Sequence, residues 1–125
     1  MTIPKILIVE DDDINFLYLK EVLCEINTNI LHAKSGPEAV QLFVENNNIQ
    51  VILMDIKLPG FDGIEAIKQI RELDGDVPII VQSAGISIHE ITLAVNAGSN
   101  EYLTKPIDSD EILEVTTRYL NRVVV

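Results

Sequence analysis

A chain of 125 residues suits one domain with its own core, and 47% hydrophobic against 23% charged residues argues against disorder. Lys plus Arg number 9 and Asp plus Glu 20, a net charge of −11 that repels phosphate backbones and speaks against nucleic-acid binding by this chain alone. The single cysteine, Cys24, rules out an internal disulfide framework or a cysteine-based zinc site, no apolar run reaches membrane-span length, and residues 1–5 lack the layout of a signal peptide. The expectation is one soluble, cytoplasmic domain over residues 1–125.

Apolar runs alternate with helical patterns, and there is no linker, repeat or low-complexity tract. The run over residues 5–9 is unbroken rather than alternating, as expected of a strand covered on both faces. Asp11, Asp12 and Asp13 supply N-cap chemistry for a helix over residues 14–26. Residues 30–33 read as a weaker strand. Ser35 to Glu38 is a turn and helix start, with Pro37 near the first helical position. That helix reaches Glu45 and stops at Asn46, Asn47 and Asn48.

Residues 51–54 form a second buried strand closed by Asp55, and residues 58–63 form a loop before an amphipathic helix over 64–73. Residues 77–81 are a third buried strand. A helix over 88–97 closes at Gly98, a C-cap residue. Residues 101–104 make a short last strand, and Pro106 and Asp108 open a final helix over 109–121.

This repeated alternation predicts an α/β fold: a doubly wound, five-stranded parallel sheet with helices on both faces. Ligands of such sheets bind beyond the carboxyl ends of the strands. The polar residues there are Glu10 and Asp11, then Asp55, then Gln82 and Ser83, and finally Lys105. Asp55 closes an apolar run, so its carboxylate sits at a nearly buried edge and needs a cation, either Lys105 or a metal. A purely structural Asp55–Lys105 ion pair is one reading, but it leaves Glu10, Asp11 and Ser83 without a role. The other is phosphoryl transfer onto Asp55, with Mg²⁺ held by Glu10, Asp11 and Asp55, Lys105 neutralising charge, and Ser83 donating to a phosphoryl oxygen.

The residues Glu10-Asp11, Asp55, Ser83-Ala84 and Lys105-Pro106, the loop over residues 58–63 and the stretch 97–106 match in order and spacing. Together they resemble the receiver domain of response regulators in two-component signalling, over nearly the whole chain. The resemblance implies a flavodoxin-like sheet of order 2-1-3-4-5 and a phosphoryl donor that is a histidine kinase or histidine phosphotransfer domain. It implies Asp55 as phosphoacceptor, Lys105 as the phosphate-binding lysine, and Ser83 and Tyr102 as switch residues. Glu10, Asp11, Asp55 and the backbone carbonyl of Lys57 would be ligands of Mg²⁺, with Mn²⁺ able to substitute. It also implies a signal leaving through the helix 4/strand 5/helix 5 face to a downstream effector or linked output domain, a phosphorylation-dependent homodimer, and a switch rather than a turnover enzyme. Glu10 stands where the family more often has Asp, Ser83 replaces the commoner Thr, and Ile107 follows Pro106 where an aromatic is frequent. The stretches 15–19 and 100–107 look more like receivers of hybrid histidine kinases.

On the first helix, Phe16, Leu19, Val22, Leu23 and Ile26 share one face, which is the expected core side. Ile14, Leu17 and Tyr18 fall off that face and are apolar, and are read as a docking patch for a helical histidine donor, against the alternative of scattered exposed residues. Cys24 is expected to be an inert small hydrophobe and His32 to lie in the second strand. A flavodoxin-like nucleotide binder lacks its hydroxyl- or glycine-rich first loop here. An aspartate-nucleophile phosphatase lacks its second Asp, Lys57 standing there, and a P-loop NTPase lacks its GK[ST] turn. A receiver that has lost phosphorylation should lack an acid, the acceptor or the lysine, and all are present.

Overall fold

The computed structural model describes residues 3–57, 63–84 and 87–121. Five strands and five helices alternate among them: β1 (Lys5–Val9), α1 (Asp13–Leu23), β2 (Asn29–Ala33), α2 (Gly36–Glu45), β3 (Ile49–Asp55), α3 (Gly63–Leu73), β4 (Ile79–Ser83), α4 (Ile88–Ala97), β5 (Glu101–Thr104) and α5 (Ser109–Asn121). The strands pair in parallel in the order β2-β1-β3-β4-β5, as expected. Most of the 58–63 loop, Gly85, Ile86 and the stretch 122–125 lie outside the described residues.

The sheet is coated on both faces because its central strands are apolar at consecutive positions. Leu7, Val9, Ile52, Met54, Ile79 and Val81 face the side covered by α2, α3 and α4, where Ala39, Ile67, Ile70 and Ala94 pack. Ile6, Ile8, Val51, Leu53, Ile80 and Leu103 face the other side, under Leu19 and Leu23 of α1 and Ile112, Val115 and Tyr119 of α5. Burying this much branched aliphatic surface, at about 25 cal/mol per Å², is the main force holding the layers.

Side chains fix the helix starts. Asp12 accepts from the Ile14 N–H at 2.9 Å, Ser35 from Glu38 at 3.2 Å and Ser87 from Glu90 at 3.1 Å. α4 ends at Gly98, whose φ of 118° lies in the left-handed region. Arg71 of α3 packs over Gly98 and donates to its carbonyl at 2.9 Å and to Asn100 Oδ1 at 2.9 Å, tying the C-termini of α3 and α4 together.

Three expectations needed correction. α1 stops at Leu23 instead of residue 26, because Cys24 N–H bonds Glu21 O and Ile26 N–H bonds Leu23 O, i→i−3 bonds that tighten and end the helix. Cys24 is exposed just past that end rather than packed as a small hydrophobe. β4 runs over Ile79–Ser83 rather than 77–81: Gln82 and Ser83 stay in the ladder, paired with Leu103 and Thr104.

Candidate functional site

The chemistry gathers at the carboxyl rim of β1, β3 and β5. Glu10 follows β1 and is 1% exposed, and Asp55 is the last residue of β3 and 5% exposed. Lys105 follows β5 and reaches across β4 to both: its Nζ lies 2.8 Å from Glu10 Oε1 and 2.9 Å from Asp55 Oδ2. The remaining carboxylate oxygens are also held. Glu10 Oε2 accepts from the Asp12 N–H at 3.2 Å, and Asp55 Oδ1 accepts from the Lys57 N–H at 2.9 Å. Asp11 is exposed, yet one carboxylate oxygen each from Glu10, Asp11 and Asp55 lies within 4.8 Å of the others.

The charges do not balance within the protein. Three carboxylates and one ammonium leave two negative charges, the complement of one divalent cation. The donor set is all carboxylate oxygen, which suits a hard ion such as Mg²⁺. Burial raises the Glu10 pKa; the Lys105 hydrogen bond opposes that rise and the Asp55 charge adds to it. Burial works to lower the Lys105 pKa, but its hydrogen bonds to Glu10 and Asp55 outweigh it and hold the ammonium above its ordinary value.

Backbone contacts set this geometry, and sequence reasoning gave two of their residues no such role. Gly63, at the start of α3, donates its N–H to Ile56 O at 2.8 Å and lies against the Asp55 backbone. His32 of β2 donates from Nε2 to the Glu10 carbonyl at 2.8 Å while its ring stacks on Phe16, with centroids 3.6 Å apart and planes 1° from parallel. The glycine closes the loop pattern over residues 58–63. The histidine had no sequence signal, because its partners lie on β1 and α1.

The other candidates are nearby but not joined to the acids. Ser83 is 1% exposed and its Oγ donates to Ala84 O at 3.4 Å. Tyr102 packs against the α2–α4 side of the core, its hydroxyl buried with no hydrogen-bond partner among the described residues. Burial, and then the charge of Glu90, raises its pKa. Lys57 is exposed, its Nζ 3.9 Å from Glu90 Oε2. Ile14, Leu17 and Tyr18 are 77%, 59% and 43% exposed.

The response regulator receiver domain model matches residues 6–117. The chain belongs to this family. The receiver is 31% identical to the chemotaxis protein CheY of Bacillus subtilis over 118 residues, 94% of this chain and 98% of that protein. It is 36% identical over 108 residues to YrkP, an uncharacterized transcriptional regulatory protein of the same organism, covering 86% of this chain and 46% of YrkP. The receiver thus spans about half the length of YrkP and of the mycobacterial response regulator MprA. Among solved structures, the receiver domain of a Pseudomonas aeruginosa sensor histidine kinase, with magnesium coordinated in its active site cleft, superposes with a TM-score of 0.85 at 30% identity, covering 96% of this chain and 99% of that one. The receiver domain of a Francisella response regulator does so with a TM-score of 0.85 at 32% identity, covering 96% and 98%. No helix among the described residues of the receiver is long and apolar enough to cross a membrane.

Proposed function

We propose that residues 1–125 form one cytoplasmic receiver domain whose Asp55 accepts a phosphoryl group from a partner phosphohistidine. The observation that carries this is a nearly buried Asp55 held by Lys105 at 2.9 Å, with Glu10 and Asp11 oxygens within 4.8 Å. In the transfer, the N–P bond of the phosphohistidine breaks as an Asp55 oxygen bonds to phosphorus, and the leaving imidazole nitrogen keeps the bonding pair and takes a proton. Mg²⁺ (or Mn²⁺) held by Glu10, Asp11, Asp55 and the Lys57 carbonyl would neutralise phosphoryl charge. Lys105 orients Asp55 and then pairs with the added phosphate, which brings about two negative charges where Asp55 had one. The domain assists its own phosphorylation and dephosphorylation and acts as a switch.

Phosphate on Asp55 recruits the Ser83 hydroxyl away from Ala84 O, and Tyr102 repacks in response. This shifts a two-state balance at α4, β5 and α5 that a downstream effector, a linked output domain or a second copy reads. The exposed Ile14, Leu17 and Tyr18 support docking of a histidine kinase or histidine phosphotransfer domain beside the site. Incubation with acetyl phosphate and Mg²⁺ tests the assignment: wild type gains a phosphoryl mass, and Asp55→Asn does not. Undiminished labelling of the variant refutes it.

A further inference from the structure

β4 carries a residue that the phosphoryl site does not use. Gln82 is 1% exposed, and both its amide nitrogen and its amide oxygen are buried without a hydrogen-bond partner among the described residues. A buried carboxamide left unpaired is costly, while an apolar residue of the same size would carry no such cost. Ile80, two residues earlier on β4, faces the α1 and α5 side, so strand alternation directs Gln82 to that face too.

There Gln82 meets a groove of about 680 Å³, a volume typical of small-molecule sites. α1 supplies one wall through Ile14, Tyr18 and Leu19, and Pro106 and Ile107 supply the other. The Tyr18 hydroxyl donates to Ile107 O at 2.8 Å and ties the walls together. Lys105 is the charged member of the lining, and its ammonium is taken by Glu10 and Asp55.

We propose that this groove binds a small neutral ligand with a planar apolar body and a primary carboxamide or lactam head, whose donor and acceptor pair with the Gln82 carboxamide. Two amides facing each other exchange two N–H···O bonds, which satisfies both orphan atoms at once. Neutrality follows from the lining: an anion would face the buried carboxylates behind Lys105, and a cation would find no free counter-charge there. The amide is a buried member of the groove lining, and rotation of the exposed Ile14 side chain at the lip admits the ligand head while the Tyr18–Ile107 tie stays in place. The proposal does not depend on phosphorylation of Asp55.

The test is titration of ¹⁵N-glutamine-labelled protein with benzamide, with toluene as the apolar control, followed by NMR. Benzamide should bind with a Kd on the order of 1 mM, as expected for so few heavy atoms, and should shift the Gln82 side-chain amide. In Gln82→Leu and Gln82→Met, benzamide should bind about tenfold more weakly, while toluene binding is kept or strengthened. Equal benzamide affinity in wild type and both variants, shifts confined to other surfaces, or no shift up to the solubility limit would each overturn the proposal. Two variants of different shape separate a lost amide pair from a misfolded groove, since toluene reports the groove itself.

Discussion

The backbone of Gly63 lies so close to that of Asp55 that a β-carbon at position 63 would stand 2.5 Å from the Asp55 carbonyl oxygen and 2.5 Å from Ile56 Cα. Those are backbone atoms, so no flexible side chain can yield. Gly63→Ala should therefore push the end of β3 away from α3 and displace the Asp55 carboxylate. Overpacking of this kind costs about 2 kcal/mol. The expected outcome is a lower urea midpoint together with weaker Mg²⁺ binding by calorimetry; a variant with wild-type stability and metal affinity would show that the strand end can relax freely.

Lys105 is the counter-charge of two buried carboxylates at once. Lys105→Met should leave Glu10 and Asp55 facing each other without it. The loss should be about 2 kcal/mol, below that of fully buried pairs because the Lys105 side chain keeps 18% of its exposure. Millimolar Mg²⁺ should restore part of it, and a Glu10→Gln/Lys105→Met double variant should be less destabilised than Lys105→Met alone. Urea denaturation of the three proteins with and without Mg²⁺ measures this.

Glu10 gives the metal-free domain a pH signature of known sign. Burial is the largest cause holding its folded-state pKa above 4.5. A carboxyl raised in the folded state contributes stability that is complete below its unfolded pKa and is lost as pH rises through the folded one. The stability of wild type relative to Glu10→Gln should therefore decline from pH 4.5 upward and level off once Glu10 is ionised. Lys105 is also raised, so its contribution persists up to 10.5 and disappears only as pH rises through its higher folded value. A wild-type-minus-variant difference that stays flat from acid to neutral pH would contradict the burial of Glu10.

Ile14 and Leu17 make the cleaner test of partner docking, because Tyr18 also holds the Ile107 carbonyl. Ile14→Asp with Leu17→Asp should slow phosphoryl transfer from a cognate phosphohistidine protein by tenfold or more. Labelling by acetyl phosphate should stay near wild type. Equal loss with both donors would place these residues in the fold instead of the interface.

Much of this architecture is legible in the sequence because strands buried on both faces write unbroken aliphatic runs. The same logic exposed Asp55: a carboxylate at the end of such a run has to meet a cation, and Lys105 is there. The extent of β4 is not legible in the sequence, for a related reason. Gln82 and Ser83 are polar, so the apolar run stops at Val81, yet the ladder continues through both. Their polarity marks the groove and the rim, and the ladder still includes both residues. The partnerships of Arg71 with Gly98 and of His32 with Glu10 bridge 27 and 22 residues. No local pattern announces them, since they exist only once parallel strands set the crossovers side by side.

The reach of Lys105 from an outer strand over β4 also bears on how the chain assembles. Glu10 and Asp55 come together as soon as β1 and β3 pair, with forty-odd residues still to be placed before the ammonium arrives. Without β5 in place, the buried rim would hold two like charges and no ammonium between them. The last strand therefore supplies the counter-charge of the first and third, and the two ends of the chain share one electrostatic unit in the folded domain.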